Sequence, residues 1–157
     1  MNRKKLLIIA LAAAAALLAI FVAVSNLHRE PEVSGDEVML RIELDLKEDV
    51  GLFIIDSDID GKEESGGVSN ADRTKLKKDE VLYWSIDRVH YTDVPEPFPL
   101  TLRFRIVTEY IDPNYENIYP EEYVMEMDEI SFTASFGEMY SIRVTGDRDG
   151  GYQAVIE

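Results

Sequence analysis

Three aspartates at alternate positions, Asp56, Asp58 and Asp60, followed at once by Gly61, are the residues whose spacing points most directly to chemistry. Calcium takes about six to eight oxygen ligands, and carboxylates at alternate positions of a tight loop can converge on one ion while a glycine in sixth place permits the sharp turn. The stretch Asp56-Ser57-Asp58-Ile59-Asp60-Gly61 satisfies this first half of the rule, and Glu64, in ninth place, supplies a fourth carboxylate. The twelfth place is Gly67, where a bidentate glutamate belongs, and no flanking helices are evident, so the expected site is a loop between strands. Its affinity would be that of an extracellular module, about 10⁻⁴ to 10⁻³ M. Asp56, Asp58, Asp60 and Glu64 are thus the candidate metal ligands and Ca²⁺ the ion they imply. The plain alternative is an acidic turn behind a strand, since Asp and Gly favour turns in any chain.

A second candidate is the segment Tyr110 to Tyr123. Four of the eight tyrosines fall there (Tyr110, Tyr115, Tyr119, Tyr123), interleaved with Asp112, Asn114, Glu116, Asn117, Glu121 and Glu122 and interrupted by Pro113 and Pro120. Tyrosine offers a rigid flat face and a hydroxyl at small entropic cost, which is why recognition loops use it. Sugars need such faces for stacking and carboxylates or amides for their hydroxyls, and a protein surface fits the same groups. Asn114, Tyr115, Glu116 and Tyr119 are the expected ligand contacts, with a glycan or a protein as partner. The alternative is that these rings close one end of the fold and proline fixes a long connection.

Catalysis finds little support. The chain has two histidines and no cysteine. His90 lies near Ser85 and Asp87, but residues so close along one strand seldom meet in triad geometry. Among 31 acidic residues some pair always fits a glycosidase spacing, so paired carboxylates carry no signal. Ser65-Gly66-Gly67 lacks the Lys-Ser/Thr sequel of a phosphate loop. The expectation is a binding protein, not an enzyme. Trp84, beside Tyr83, and Met125, Met127 and Met139 read as core fillers.

The elements that must position these groups are strands. Val38, Leu40, Ile42, Leu44 and Leu46 alternate with Arg41, Glu43 and Asp45, the period of a half-buried strand. Leu52 to Ile55 is a continuous apolar run suited to a strand covered on both faces. Val81–Ile86, Leu100–Ile106, Tyr123–Met127, Ile130–Phe136 and Tyr140–Val144 follow, and a Gly146–Gly151 turn leads into Tyr152, Ala154 and Ile156 as a terminal hairpin. Ser69 and Asp72 fit a capping box ahead of a brief helix over Arg73–Lys78. Seven or eight strands with alternating faces give an all-β fold, a two-sheet antiparallel sandwich of immunoglobulin-like or related type; a small barrel is the alternative.

Placement in the cell follows from the apolar run Leu6–Val24 behind Arg3, Lys4 and Lys5. At ~1.5 Å per residue it spans about 28 Å, close to the hydrocarbon thickness of a bilayer. The cations favour a cytoplasmic N-terminus. The expectation is a signal anchor or signal peptide over 1–25, a tether over 26–36 and an extracytoplasmic domain over 37–157. The protein would then be a single-pass membrane protein whose domain lies outside, or a secreted one if cleavage occurs near Ser25. Beyond residue 25, 13 Lys and Arg against 31 acids leave a charge of −18. That field repels nucleic acid and favours cations or basic partners. It is uneven, because no Lys or Arg stands between Arg105 and Arg143, and the basic stretch Arg73, Lys75, Lys77 and Lys78 is free to dock on the acids there. The rival to an exported binding module is a structural accessory of an envelope complex, with the N-terminal helix as its main contact.

Overall fold

Alternation along the strands does divide an inner from an outer face, and the inner faces of two sheets make the core. The computed structural model describes residues 30–114, 116 and 118–157, of which 33–157 form one unit. The apolar run Leu6–Val24 lies outside the described residues; among those described, no helix is long and apolar enough to cross a membrane. Nine strands are found there: β1 (Glu37–Leu46), β2 (Leu52–Ile59), β3 (Lys62–Val68), β4 (Val81–Asp87), β5 (Phe98–Val107), β6 (Val124–Glu126), β7 (Ile130–Ala134), β8 (Met139–Asp147) and β9 (Gly151–Ile156). The first sheet runs β4-β1-β8-β9. The second runs β3-β2-β5-β6, with β7 also pairing β5. Apart from strands, the described residues hold single 3₁₀ turns at Arg88–His90 and Glu121–Tyr123.

Residues 33–157 therefore form an all-β sandwich, with three departures from expectation, the first being β3, a ninth strand where seven or eight were expected. β1 pairs β8 in parallel, from Met39 opposite Met139 to Leu46 opposite Gly146, while the other ladders are antiparallel. The brief helix expected over Arg73–Lys78 is absent, because Leu76 is buried and bridges Val50 as an isolated β-pair. Asp72 instead accepts from the backbone N–H of Thr74 at 3.0 Å, an Asx turn. The lysines of this stretch do reach acids: Lys77 Nζ lies 2.8 Å from Asp49, and Lys75 Nζ 3.7 Å from Glu109.

Leu40, Ile42 and Leu44 of β1, Phe53, Ile55 and Ile59 of β2, Leu100 to Ile106 at alternate positions of β5, and Ile142 and Val144 of β8 meet between the sheets. Phe53 and Phe104 tilt against each other with ring centroids 5.4 Å apart. Trp84 reaches from β4 to β3 at the open side of the sandwich. A Cβ placed on Gly66 would lie 2.1 Å from its Cη2, so the indole occupies the space a side chain would need.

Tyr91, just past the first 3₁₀ turn, is 1 % exposed, and its hydroxyl lies beside Ser57 and Glu64 without a bond of hydrogen-bonding geometry. Burial, and next the charge of Glu64, push its phenol up to about 12. A proton held more tightly in the folded state stabilises the fold fully below the unfolded pKa of 10.0, and that stability is lost as pH rises through about 12.

Two predictions follow from the packing. Gly66→Ala is expected to lower unfolding free energy by about 1–3 kcal/mol in urea titration, through the displaced indole. Gly67→Ala, whose Cβ meets the flexible Leu52 Cδ1 at 3.1 Å and the Phe53 carbonyl at 3.3 Å, should cost less; equal losses at both positions would deny the indole its role. For Tyr91→Phe, stability at pH 7 should stay within about 1 kcal/mol of the parent, since the buried hydroxyl has no bond to lose. Its decline above pH 10 should become shallower, and an unchanged decline would show that Tyr91 is not the group responsible.

Candidate functional site

The aspartate series is part of a hairpin. Ile59 pairs Lys62, leaving Asp60-Gly61 as a two-residue turn in which both residues have positive φ, 54° and 76°. That is the requirement of the tight hairpin turn Asp-Gly favours. Asp56 and Asp58 project from the outer face of β2, because the residues that alternate with them, Ser57 and Ile59, are buried. Asp60 is exposed at the turn. Glu64 stands opposite Ser57 in the ladder and shares the inner face, with a carboxylate oxygen 3.6 Å from His90 Nδ1. The four candidate calcium ligands thus divide between two faces and a turn tip. Among the described residues no three or more His, Asp or Glu gather as a metal site.

Asp56 has a different partner. Arg105 of β5 donates from Nε and from an Nη to its two oxygens, each at 3.1 Å, and Ser65 of β3 donates its hydroxyl to the same carboxylate. This bidentate pair ties three neighbouring strands on the outer face and leaves Arg105 about one-third exposed. Asp58 accepts from the Gly61 N–H at 2.8 Å and so serves the turn.

Against this face folds the connection from β5 to β6. Its entry is fixed by Gly51: a Cβ there would lie 2.1 Å from the Tyr110 carbonyl oxygen, so only glycine lets the chain turn back so closely over β2. Its two ends are tied by the Thr108 N–H donating to the Tyr123 carbonyl at 2.9 Å. Arg148, from the β8–β9 turn, places its guanidinium 5.6 Å from the Tyr123 ring centre and 3.3 Å from Glu109. A connection rich in acids and devoid of cations is thus held by cations from elsewhere. Within it Tyr110 and Tyr119 meet edge to face, centroids 6.3 Å apart.

Between connection and sheet lies a groove of about 500 Å³. Leu52 and Ile54 of β2 form an apolar floor, with Gly66 and Gly67 of β3 beside them; Ser65, Ser69 and Asn70 make one wall, and Ile111, Asp112 and Tyr119 the other, with Arg105 at the end. This size, an apolar lining and a few convergent polar groups are the usual attributes of a ligand site. Burial first, and the charge of Asp112 next, raise the Tyr119 phenol above its ordinary value, with Arg105 opposing, so both charges surround that hydroxyl. On the far side of Arg105 is a smaller depression of about 190 Å³, bordered by Asp56, Arg103 and Glu126.

Of the four residues expected to touch ligand, Tyr119 lines the groove. Asn114 and Glu116 are exposed and do not line it, and Tyr115 lies outside the described residues. Sequence reasoning missed Arg105, which reads as one more outward residue of an alternating strand, and Asn70, which reads as part of a loop. The available signal was that Arg105 is the last cation before the stretch that has none.

No known sequence family matches the chain, and no characterised protein matches it in sequence. Several solved structures show a partial likeness. Listeriolysin O aligns at TM-score 0.36 and 7 % identity over 77 % of this chain and 22 % of its own. A disulfide-locked mutant of intermedilysin with human CD59 aligns at 0.37 and 10 %, over 77 % and 24 %. Suilysin from Streptococcus suis aligns at 0.33 and 10 %, over 78 % and 23 %. The chain spans less than a quarter of the length of each of these proteins, and at such scores neither kinship nor activity carries over.

Proposed function

We propose that the protein is an exported binding module, held to the outer face of the membrane by residues 6–24, and that its ligand seat is the groove beneath the Thr108–Tyr123 connection. The reading takes the scaffold as an immunoglobulin-like or related sandwich, which presents its connections for recognition. The observation that carries it is the convergence of Tyr119, Asp112, Asn70 and Arg105 over an apolar floor. A rigid aromatic, an amide and charged groups around an apolar floor fit a glycan or a protein surface as ligand. Nothing in this arrangement supplies an activated nucleophile with its base, so the chemistry offered is recognition.

The expected outcome of substitution distinguishes a module from an accessory. In cells carrying the full-length chain, Tyr119→Ala and Asn70→Ala should each reduce partner capture at least tenfold without lowering the amount of folded protein at the surface. Exchanging residues 6–24 for an unrelated anchor should leave capture intact. Capture that survives both groove substitutions but fails on exchange of the anchor would make the N-terminal segment the functional contact.

A further inference from the structure

We infer that β9 is a dimerisation edge, along which a second copy of this chain adds its own β9 antiparallel about a two-fold axis at Ala154. The ladder with β8 fixes which bonds of the strand are free. Glu157 donates its N–H to the Ser141 carbonyl at 3.0 Å, and Ile156 stands opposite Ile142. Gln153 and Val155 therefore turn their N–H and C=O towards β8, while Tyr152, Ala154 and Ile156 turn theirs away from it. β9 ends its sheet, so these groups form an open row. Pairing centred on Ala154 sets Tyr152 opposite Ile156 of the second copy and Ala154 opposite its counterpart, so that every group of the row is used.

Val155 is 52 % and Ile156 41 % exposed, two adjacent residues among the five exposed large apolar side chains of the described residues. In this register Val155, on the outer face, packs beside Gln153 of the second copy, and Ile156, on the inner face, beside its Tyr152. Beneath β9 run β6 and β7, and there Met125, Ile130, Phe132 and Ala154 are only half-buried. The other side of the sandwich is closed by Trp84 against Gly66, whereas this side has apolar surface left to cover. Neither β9 nor β7 contains a charged residue, while β3 carries Lys62, Glu63 and Glu64, β4 ends in Asp87 and β6 in Glu126. Across a two-fold axis a strand meets itself, so any charge on it lies near its own sign, and β9 brings none. Glu157 follows the strand, but Arg143 of its own copy holds it at 2.7 Å, and the register places it opposite Gly151 of the second. The −18 charge of residues 26–157 opposes the approach of two copies, so screening by salt strengthens the dimer.

The test is sedimentation equilibrium of the full-length chain in density-matched neutral detergent, with residues 6–24 and again with an unrelated anchor in their place. A dimer is expected with either anchor, tighter at 500 than at 50 mM salt. Ala154→Pro removes an N–H that β8 does not use, a substitution that edge strands admit. Val155→Glu gains Arg143 as a cross-strand partner within its own copy but sets two carboxylates near the axis. Each should raise the dimer dissociation constant about tenfold or more. Ser85→Glu, the same charge change on β4 at the other edge of this sheet, should leave it unchanged. The chain has no cysteine, so copies bearing Gln153→Cys and Val155→Cys can be mixed and oxidised without background. These two positions face each other across the axis with Cα atoms about 4.5 Å apart, whereas like positions lie about 7–8 Å apart, beyond disulfide reach. The mixture should cross-link and either variant alone should not. A monomer at all concentrations, a dimer that survives both β9 substitutions, or cross-linking no better in the mixture than in either variant alone would each overturn the inference. A dimer lost on exchange of residues 6–24 would overturn it in favour of the N-terminal segment.

Discussion

The indole of Trp84 filling the place of a missing side chain at Gly66 is the contact on which the rest of the molecule depends. β4 and β3 are the edge strands of different sheets, and an edge has one neighbour fewer to hold it in place. Packing one aromatic ring against bare backbone fixes the spacing of the sheets at their open side and the height of the β2–β3 hairpin above the core. The opposite surface of the same hairpin floors the groove. A single accommodation between the largest side chain and the smallest therefore sets the position of the hairpin and, through it, the shape of the outer face.

Charge arranges the surface more than it stabilises it. Most ion pairs are exposed, and such pairs contribute at most about 1 kcal/mol each. Their value here is positional. Acids in the Thr108–Tyr123 connection repel one another, yet Arg148 and Lys75, drawn from two other turns, gather at Glu109 and secure its near end. Arg105 and Asp56 do the same between strands, and because each satisfies the other, a charged pair can border an apolar floor without leaving either group unpaired. The outcome is a connection secured at its two ends beside a charged pair that neutralises itself.

Much of this fold was legible in the residues, and the parts that were not have physical reasons. β1, β5 and β8 declared themselves because each buries one face, which leaves an apolar period of two. Which strand lies beside which leaves no such trace, so the parallel pairing of β1 with β8 was invisible. β3, Lys-Glu-Glu-Ser-Gly-Gly-Val, lacks an apolar alternation altogether because its inner face is met by Trp84 at a glycine and carries Glu64 beside Tyr91. Hidden as a strand, it turned three aspartates into an apparent loop, although the structure puts two of them on a sheet face. At Ser69 to Lys78 a local capping pattern yielded to the burial of Leu76. Of the groove, Tyr119 was legible from its composition. Arg105, Asn70 and the role of Gly51 were not, because they acquire meaning only when a distant connection folds back over the sheet.

The parallel register of β1 and β8 bears on how the domain carries load. A pull on the N-terminal end of β1 against a hold at the C-terminal end of β8 slides two strands that run in the same direction. Every hydrogen bond of that ladder then bears the strain at once, whereas an antiparallel hairpin pulled from its open end parts one bond at a time. β1 is also flanked on its other side by β4, so it moves only by shearing two ladders together. Force applied from the side of residue 37 thus loads the β1–β8 ladder along its length, while the edge strands β3, β4 and β9 are each held by a single ladder.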